Sequence, residues 1–316
     1  MLDAKCVPTR DAYGDEILAL GRENPKIYVV DADIGKSCKT VAFSKALPGQ
    51  HVNVGIAEQN ACGVGAGLAA CGKIPFVTTY AVFGSMRMCE QIRQEVCYPR
   101  LNVKIACSHG GLTPANDGAS HQGIEDMGIL RTLPNMTVIM GCDYWSVRRL
   151  VRAAAVYDGP VYLRFTRDSM PMIYDQDAQF RIGRANLLRN GHDVTIIANG
   201  DVMSVALAAA DGLAARGVTA RLLDMHTIKP IDREAVMAAI RDTGAIVTVE
   251  DHNIINGLGS AVSEIVAEAG GARVKRIGIP DRFGESAPYE RLLEKCGITR
   301  EAIMAACQTL IEEKNA

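Results

Sequence analysis

Val54-Gly55-Ile56-Ala57-Glu58-Gln59-Asn60 is the stretch from which the fold and the chemistry of this chain are read. His51 to Val54 before it is strand-like, and the small-residue run Gln59 to Ala70 after it has a helical pattern. Glu58 therefore sits at the first turn of a helix that follows a strand. The positive end of the helix dipole favours a carboxylate there, and for an isolated Glu that is explanation enough. Outward from this point the same alternation repeats. Ile27 to Val30, Ile74 to Tyr80, Val103 to Cys107 and Val161 to Phe165 read as buried strands. Ser85 to Cys97 and Tyr144 to Val156 read as helices. Thr9 is the expected N-cap of a first helix carrying Tyr13, Ile17 and Leu20, with Pro25 as its stop. Strands alternating with helices predict an α/β fold, a doubly wound parallel sheet whose ligands bind at the strands' C-terminal ends.

Between Asp168 and Gly191 the apolar pattern gives way to Asp, Gln, Pro and Gly. The expected division is a first domain over 1–172, a linker over 173–190 and a second, smaller α/β domain over 191–316. In the second, Val194 to Ile197, Ala220 to Leu223 and Ala245 to Val249 are strand-like, with helices at Val205 to Arg216, Leu258 to Ala269 and Arg300 to Ile311.

A net charge of -2 argues against a dedicated nucleic-acid binder, which carries a basic patch. No apolar run has the length of a membrane span, and Met1-Leu2-Asp3-Ala4-Lys5 has no apolar signal region. The ten cysteines form no Cys-x-x-Cys pair and no Cys/His set, so they read as small apolar thiols of a reducing compartment. A cytoplasmic location is expected.

Two further blocks accompany Glu58. Thr78-Thr79-Tyr80-Ala81-Val82-Phe83-Gly84-Ser85-Met86 places two aromatic rings at a strand end, where they either fill the core or face a flat ligand. Cys107-Ser108-His109-Gly110-Gly111-Leu112 through Asp117-Gly118-Ala119-Ser120-His121-Gln122-Gly123 is a polar, turn-rich loop after a strand, with two histidines framing an Asp-Gly turn. Gly65-Ala66-Gly67-Leu68-Ala69-Ala70 fits a relaxed dinucleotide pattern, but it falls inside the helix opened by Glu58 and so reads as helix packing.

In this order, these blocks resemble the pyrimidine-binding domain of transketolases and deoxyxylulose-phosphate synthases. The resemblance implies thiamin diphosphate as cofactor. Glu58 would bond the aminopyrimidine ring nitrogen and favour the imino tautomer, whose exocyclic nitrogen can take the thiazolium C2 proton. Phe83 would be the stacking ring, with Tyr80 beside it and Asp33 near the thiazolium. Asp117 and His121 would meet substrate hydroxyls. Arg10, Ser37, His109 and Arg167 would hold the sugar phosphate, a task for which the guanidinium fork is suited. Met86 stands where many full-length transketolases carry a further aromatic. Asp224 to Pro230 and Val249 to Gly259 resemble segments of the family's C-terminal domain, with a structural, dimer-forming role.

The family holds the diphosphate through Mg2+ or Ca2+ bound by Gly-Asp-Gly and a downstream Asn. This sequence has no Gly-Asp-Gly. The resemblance thus implies a C-terminal subunit that acts with an N-terminal transketolase subunit carrying the metal site, in a heterotetramer of two copies of each chain. The expected reaction transfers a two-carbon ketol unit between ketose and aldose phosphates, as in pentose phosphate metabolism. Three alternatives stay open: a deoxyxylulose-phosphate synthase, the β subunit of a 2-oxo acid dehydrogenase, and an inactive scaffold subunit.

Overall fold

The computed structural model describes residues 6–315, so the opening stretch read for a signal region lies outside the described residues. A seven-stranded sheet runs in the order Thr227–Lys229, Thr137–Met140, Val161–Arg164, Lys104–Ser108, Ile74–Tyr80, Ile27–Asp31, His51–Asn53. Every pairing in it is parallel except the first, which is antiparallel. A five-stranded sheet runs Arg273–Ile279, Ala245–Asn253, Val194–Ala198, Ala220–Asp224, Asn186–Arg189, parallel apart from its last strand. The central strands are buried along their whole length, as near-continuous apolar runs require when helices cover both faces.

The two sheets are not separate bodies on a string. Thr227–Lys229 belongs to the second half of the chain yet extends the first sheet. One apolar core runs from Val30, Val77 and Ile105 through Met140 to Leu223, Ile228, Leu258 and Val262. Asn186–Arg189, within the polar stretch after Pro171, forms the edge strand of the second sheet.

Two local expectations are corrected. The first helix is Thr9–Glu23 with Pro8 at its N-cap, and Thr9 makes no cap bond. Its hydroxyl instead bonds the Thr166 hydroxyl at 2.8 Å and accepts the Thr166 backbone N–H at 2.7 Å, tying the helix start to the end of a central strand. The helix expected over Ser85 to Cys97 is broken. Ala81–Met86 and Cys89–Gln91 are short turns, and Ile92–Cys97 is a π-helix closed by Tyr98 N–H donating to the Arg93 carbonyl at 3.0 Å. The wider turn lets Ile92, Val96 and Cys97 all point into the core. Elsewhere the periodicity is faithful: Glu58–Ala70, Tyr144–Val156 and Leu258–Ala269 are helices. The nine cysteines from Cys38 onward are free thiols.

Candidate active site

The candidate residues gather where the parallel strands end. Glu58 opens the helix Glu58–Ala70 and is 5% exposed. Both of its oxygens face Arg87 Nη1, at 3.1 and 3.2 Å. Phe83 and Tyr80 flank the turn that follows Ile74–Tyr80, with ring centroids 5.8 Å apart. A side chain on Gly84 would run into the Cys107 sulfur, so the tight turn beneath Phe83 needs glycine. His121 stands edge-on to both rings, 5.9 Å from Tyr80 and 5.7 Å from Phe83. His109 lies against the other side of Tyr80, its ring centroid 3.9 Å away.

The loop from His109 to Gly123 is pinned from below. Leu112 N–H donates to both Asp251 oxygens at 3.1 and 2.9 Å, and Gln122 donates to the Glu285 carbonyl at 2.9 Å. Both anchors come from the second half of the chain, which buttresses the loop without adding a side chain to the rings. Asp117 forms an ion pair with Arg167 at 2.9 Å, and Arg167 also donates to the Pro114 carbonyl at 2.8 Å. Arg10 donates to the Ser37 carbonyl at 3.2 Å.

Electrostatics separate the two histidines. His109 is buried, and its Nδ1 lies 2.7 Å from the Ser108 hydroxyl. Burial first, then the charges of Arg10, Arg167 and His121, push its pKa down to about 3. It is therefore neutral at physiological pH and serves as a hydrogen-bonding group beside two arginines, a narrower role than the proton shuttling that a loop histidine suggests. His121 is half-buried, with Nδ1 at 3.0 Å from the Ser120 hydroxyl.

Glu58, Phe83, Tyr80, His121 and His109 thus form one connected strip, Glu58 joined to Phe83 through Arg87, and the charges of the separate Arg10–Ser37 and Arg167–Asp117 pairs act on His109 at its end. Asp33 is set apart from the rings: it is exposed, accepts from Asn53 at 3.0 Å, and lines a cavity of about 420 Å³ together with Ser37, Asp31 and His51. Met86, at the position of the missing aromatic, is 43% exposed. Arg87 escaped the sequence reading, although it lies four residues after Phe83 and so on the same helical face, which was the available signal.

The residues present fit an aminopyrimidine. A buried carboxylate, a phenyl ring and two neighbouring aromatic or imidazole edges line one strip, the donor and stacking set that a flat nitrogen heterocycle needs. They do not make a metal site, since among the described residues no group of three or more His, Cys, Asp or Glu is placed to hold an ion.

Comparison with known proteins bears on the fold and the family. Residues 5–172 match the family model "Transketolase, pyrimidine binding domain", and residues 183–303 match "Transketolase, C-terminal domain". The chain belongs to the transketolase family. It is 48% identical to a solved structure described as a split gene transketolase, inactive beta4 tetramer, with a TM-score of 0.91 over 97% of this chain and 99% of that one. It is 40% identical to a 6-deoxy-6-sulfo-D-fructose transketolase subunit of Clostridium sp. (strain MSTE9), covering 97% of this chain and 95% of the relative. It is 38% identical to 1-deoxy-D-xylulose-5-phosphate synthase 1 of Geobacter sulfurreducens, covering 96% of this chain but 48% of the synthase. Among the described residues no helix is long and apolar enough to cross a membrane.

Proposed function

We propose that this chain is the C-terminal subunit of a thiamin-diphosphate-dependent transketolase that moves a two-carbon ketol unit between sugar phosphates, together with an N-terminal subunit that holds the diphosphate and its metal. The observation that carries the reading is the buried carboxylate of Glu58, bridged by Arg87 to the Phe83 ring, with His121 and Asp117 on the pinned loop. The near-complete coverage of a transketolase subunit of matching length supports the split arrangement.

When bound, the cofactor supplies a carbon nucleophile that a protein side chain cannot. Glu58 would hold the ring nitrogen of the aminopyrimidine and set its tautomer. Phe83 and Tyr80 would position the ring. His121 and Asp117 bind substrate hydroxyls, and neutral His109 donates toward the sugar phosphate between Arg10 and Arg167, with Ser37 at the same end. Asp33 would contribute to holding the cofactor. The complex contains two copies of each subunit, and its home is the cytoplasm, in sugar phosphate interconversion.

The test is activity of the chain co-purified with the product of the adjacent gene. Xylulose 5-phosphate or 6-deoxy-6-sulfo-D-fructose serves as donor and ribose 5-phosphate as acceptor, with thiamin diphosphate and magnesium. Turnover by the pair and not by either chain alone supports the reading. A folded, cofactor-loaded complex that turns over pyruvate with glyceraldehyde 3-phosphate instead favours the synthase reaction, a second reading supported by the likeness to the Geobacter synthase.

A further inference from the structure

We propose that Arg87 is a built-in stand-in for the cofactor's aminopyrimidine, a residue with which the cofactor must compete for its site. The inference rests on the thiamin reading of the site. Its basis is a coincidence of contacts. The two groups assigned to the pyrimidine are Glu58, through a hydrogen bond, and Phe83, through stacking. One side chain holds both. Arg87 Nη1 lies 3.1 and 3.2 Å from the Glu58 oxygens, and the Arg87 guanidinium carbon is 4.1 Å from the centroid of the Phe83 ring.

The chemistry explains why an arginine fits there. A guanidinium is planar, offers N–H donors along its edge, and stacks on aromatic rings. An aminopyrimidine bonded to a carboxylate presents the same features: a flat conjugated face and an N–H edge. Glu58 is 5% exposed, and a buried carboxylate without a donor is costly, so a chain that has not taken up cofactor is stabilised by an internal cation at that place. The backbone aims the side chain there, because Arg87 N–H donates to the Phe83 carbonyl at 3.0 Å, one turn back.

Arg87 is also free to leave. Its side chain is 52% exposed while that of Glu58 is 6% exposed, so swinging outward opens no hole in the core. Binding of the cofactor would then exchange one ion pair and one stacking contact for a hydrogen bond and a stacking contact on the same two groups. The net affinity is the difference between the two.

The experiment is calorimetric titration of thiamin diphosphate, with magnesium, into the co-purified complex carrying wild-type Arg87, Arg87→Lys or Arg87→Met. Loss of the competitor is expected to tighten cofactor binding about five- to tenfold in Arg87→Met, with Arg87→Lys between it and wild type. Equal or weaker binding by Arg87→Met overturns the inference. On the free chain, a double-mutant cycle of Glu58→Gln and Arg87→Met followed by urea unfolding is expected to show a coupling of about fivefold in the unfolding constant. Additive effects overturn the inference as well. A wild-type complex that takes up no thiamin diphosphate overturns the reading of the site, and the inference with it. That outcome is distinct from a failure confined to Arg87, in which wild type binds cofactor and Arg87→Met binds it no tighter.

Discussion

The rim of the first sheet and the sealed seam between the two halves of the chain are built from the same residue types. At the rim stand Glu58, Arg87, Tyr80, His109 and His121; in the seam stand Asp126, Arg164, Tyr162, His252 and Asp251. In the seam every one of these five is at least 99% buried. Arg164 Nε lies 3.3 Å from Asp126, and its Nη2 donates to the Asp251 carbonyl at 2.8 Å and the Gly123 carbonyl at 3.3 Å. Tyr162 donates to Asp126 at 2.5 Å, and His252 Nε2 accepts the Gly128 N–H at 3.1 Å. These groups are packed against one another by two halves of the chain and sealed from solvent, with Arg164 Nε and one Asp126 oxygen left without a hydrogen bond. At the rim, by contrast, Arg87 and Asp117 are exposed and Phe83 and His121 half-buried, so their partners can be exchanged. Residue type does not separate a site from a structural lock. Access to exchangeable partners does.

The comparison breaks most sharply at Glu58. Glu58→Gln, assayed in the complex, is expected to lower the turnover number by roughly 100- to 10,000-fold. Urea unfolding of the same variant is expected to change only by about the fivefold of its pair with Arg87, and a much larger stability loss with modest activity loss would move Glu58 to the structural side. Arg164→Met is the converse. Removing the cation leaves Asp126 buried and unpaired, and about 3–5 kcal/mol of stability should be lost in equilibrium unfolding. If stability were unchanged while the Michaelis constant rose, the seam would belong to the site.

pH sharpens the contrast next, because buried groups in the two regions have opposite signs. His109 is held down to about pKa 3, below its ordinary 6.5, so its contribution to stability is complete above pH 6.5 and is lost as pH falls toward 3. Asp224, near the seam, has the reverse sign. Burial raises it to about 7, against the hydrogen bond from Tyr174 at 2.9 Å, and among the described residues no cation pairs with it. Its contribution is complete below pH 3.8 and is lost as pH rises through 7. The stability difference between wild type and Asp224→Asn should therefore shift against wild type across pH 4–7, by on the order of a few kcal/mol. The difference between wild type and His109→Gln should move the other way, in favour of wild type, as pH rises from 4 to 6.5. Parallel pH profiles in both pairs would refute the assignment of opposite signs.

The smallest effect is expected at the Asp117–Arg167 pair, where both side chains are about one-third exposed. Asp117→Asn should change unfolding stability by less than ~1 kcal/mol. Its effect should appear instead as a raised Michaelis constant for the sugar substrate. Equal Michaelis constants in variant and wild type would remove Asp117 from the substrate strip.

Much of this was legible in the sequence, for identifiable reasons. Ile27–Asp31, Ile74–Tyr80 and Lys104–Ser108 were visible because strands covered on both faces are predominantly apolar. Thr227–Lys229 was not visible as part of the first sheet, since three residues carry no period and their partner strand lies some ninety positions earlier. The broken helix after Phe83 escaped because a π-turn changes which residues share a face without changing the composition.

By itself, the sequence determined the α/β class, the strand-turn-helix that presents Glu58, and the family. These rest on local order: periodicity, turn residues and short motifs read along the chain. Only the tertiary structure decided that Arg87 lies on Glu58 and Phe83, that His109 is neutral, and that Asp251 pins the loop carrying Asp117 and His121. Each of those depends on distance and burial between segments far apart in the chain. Burial sets the charge state and proximity sets the partner, and neither is written in the order of the residues.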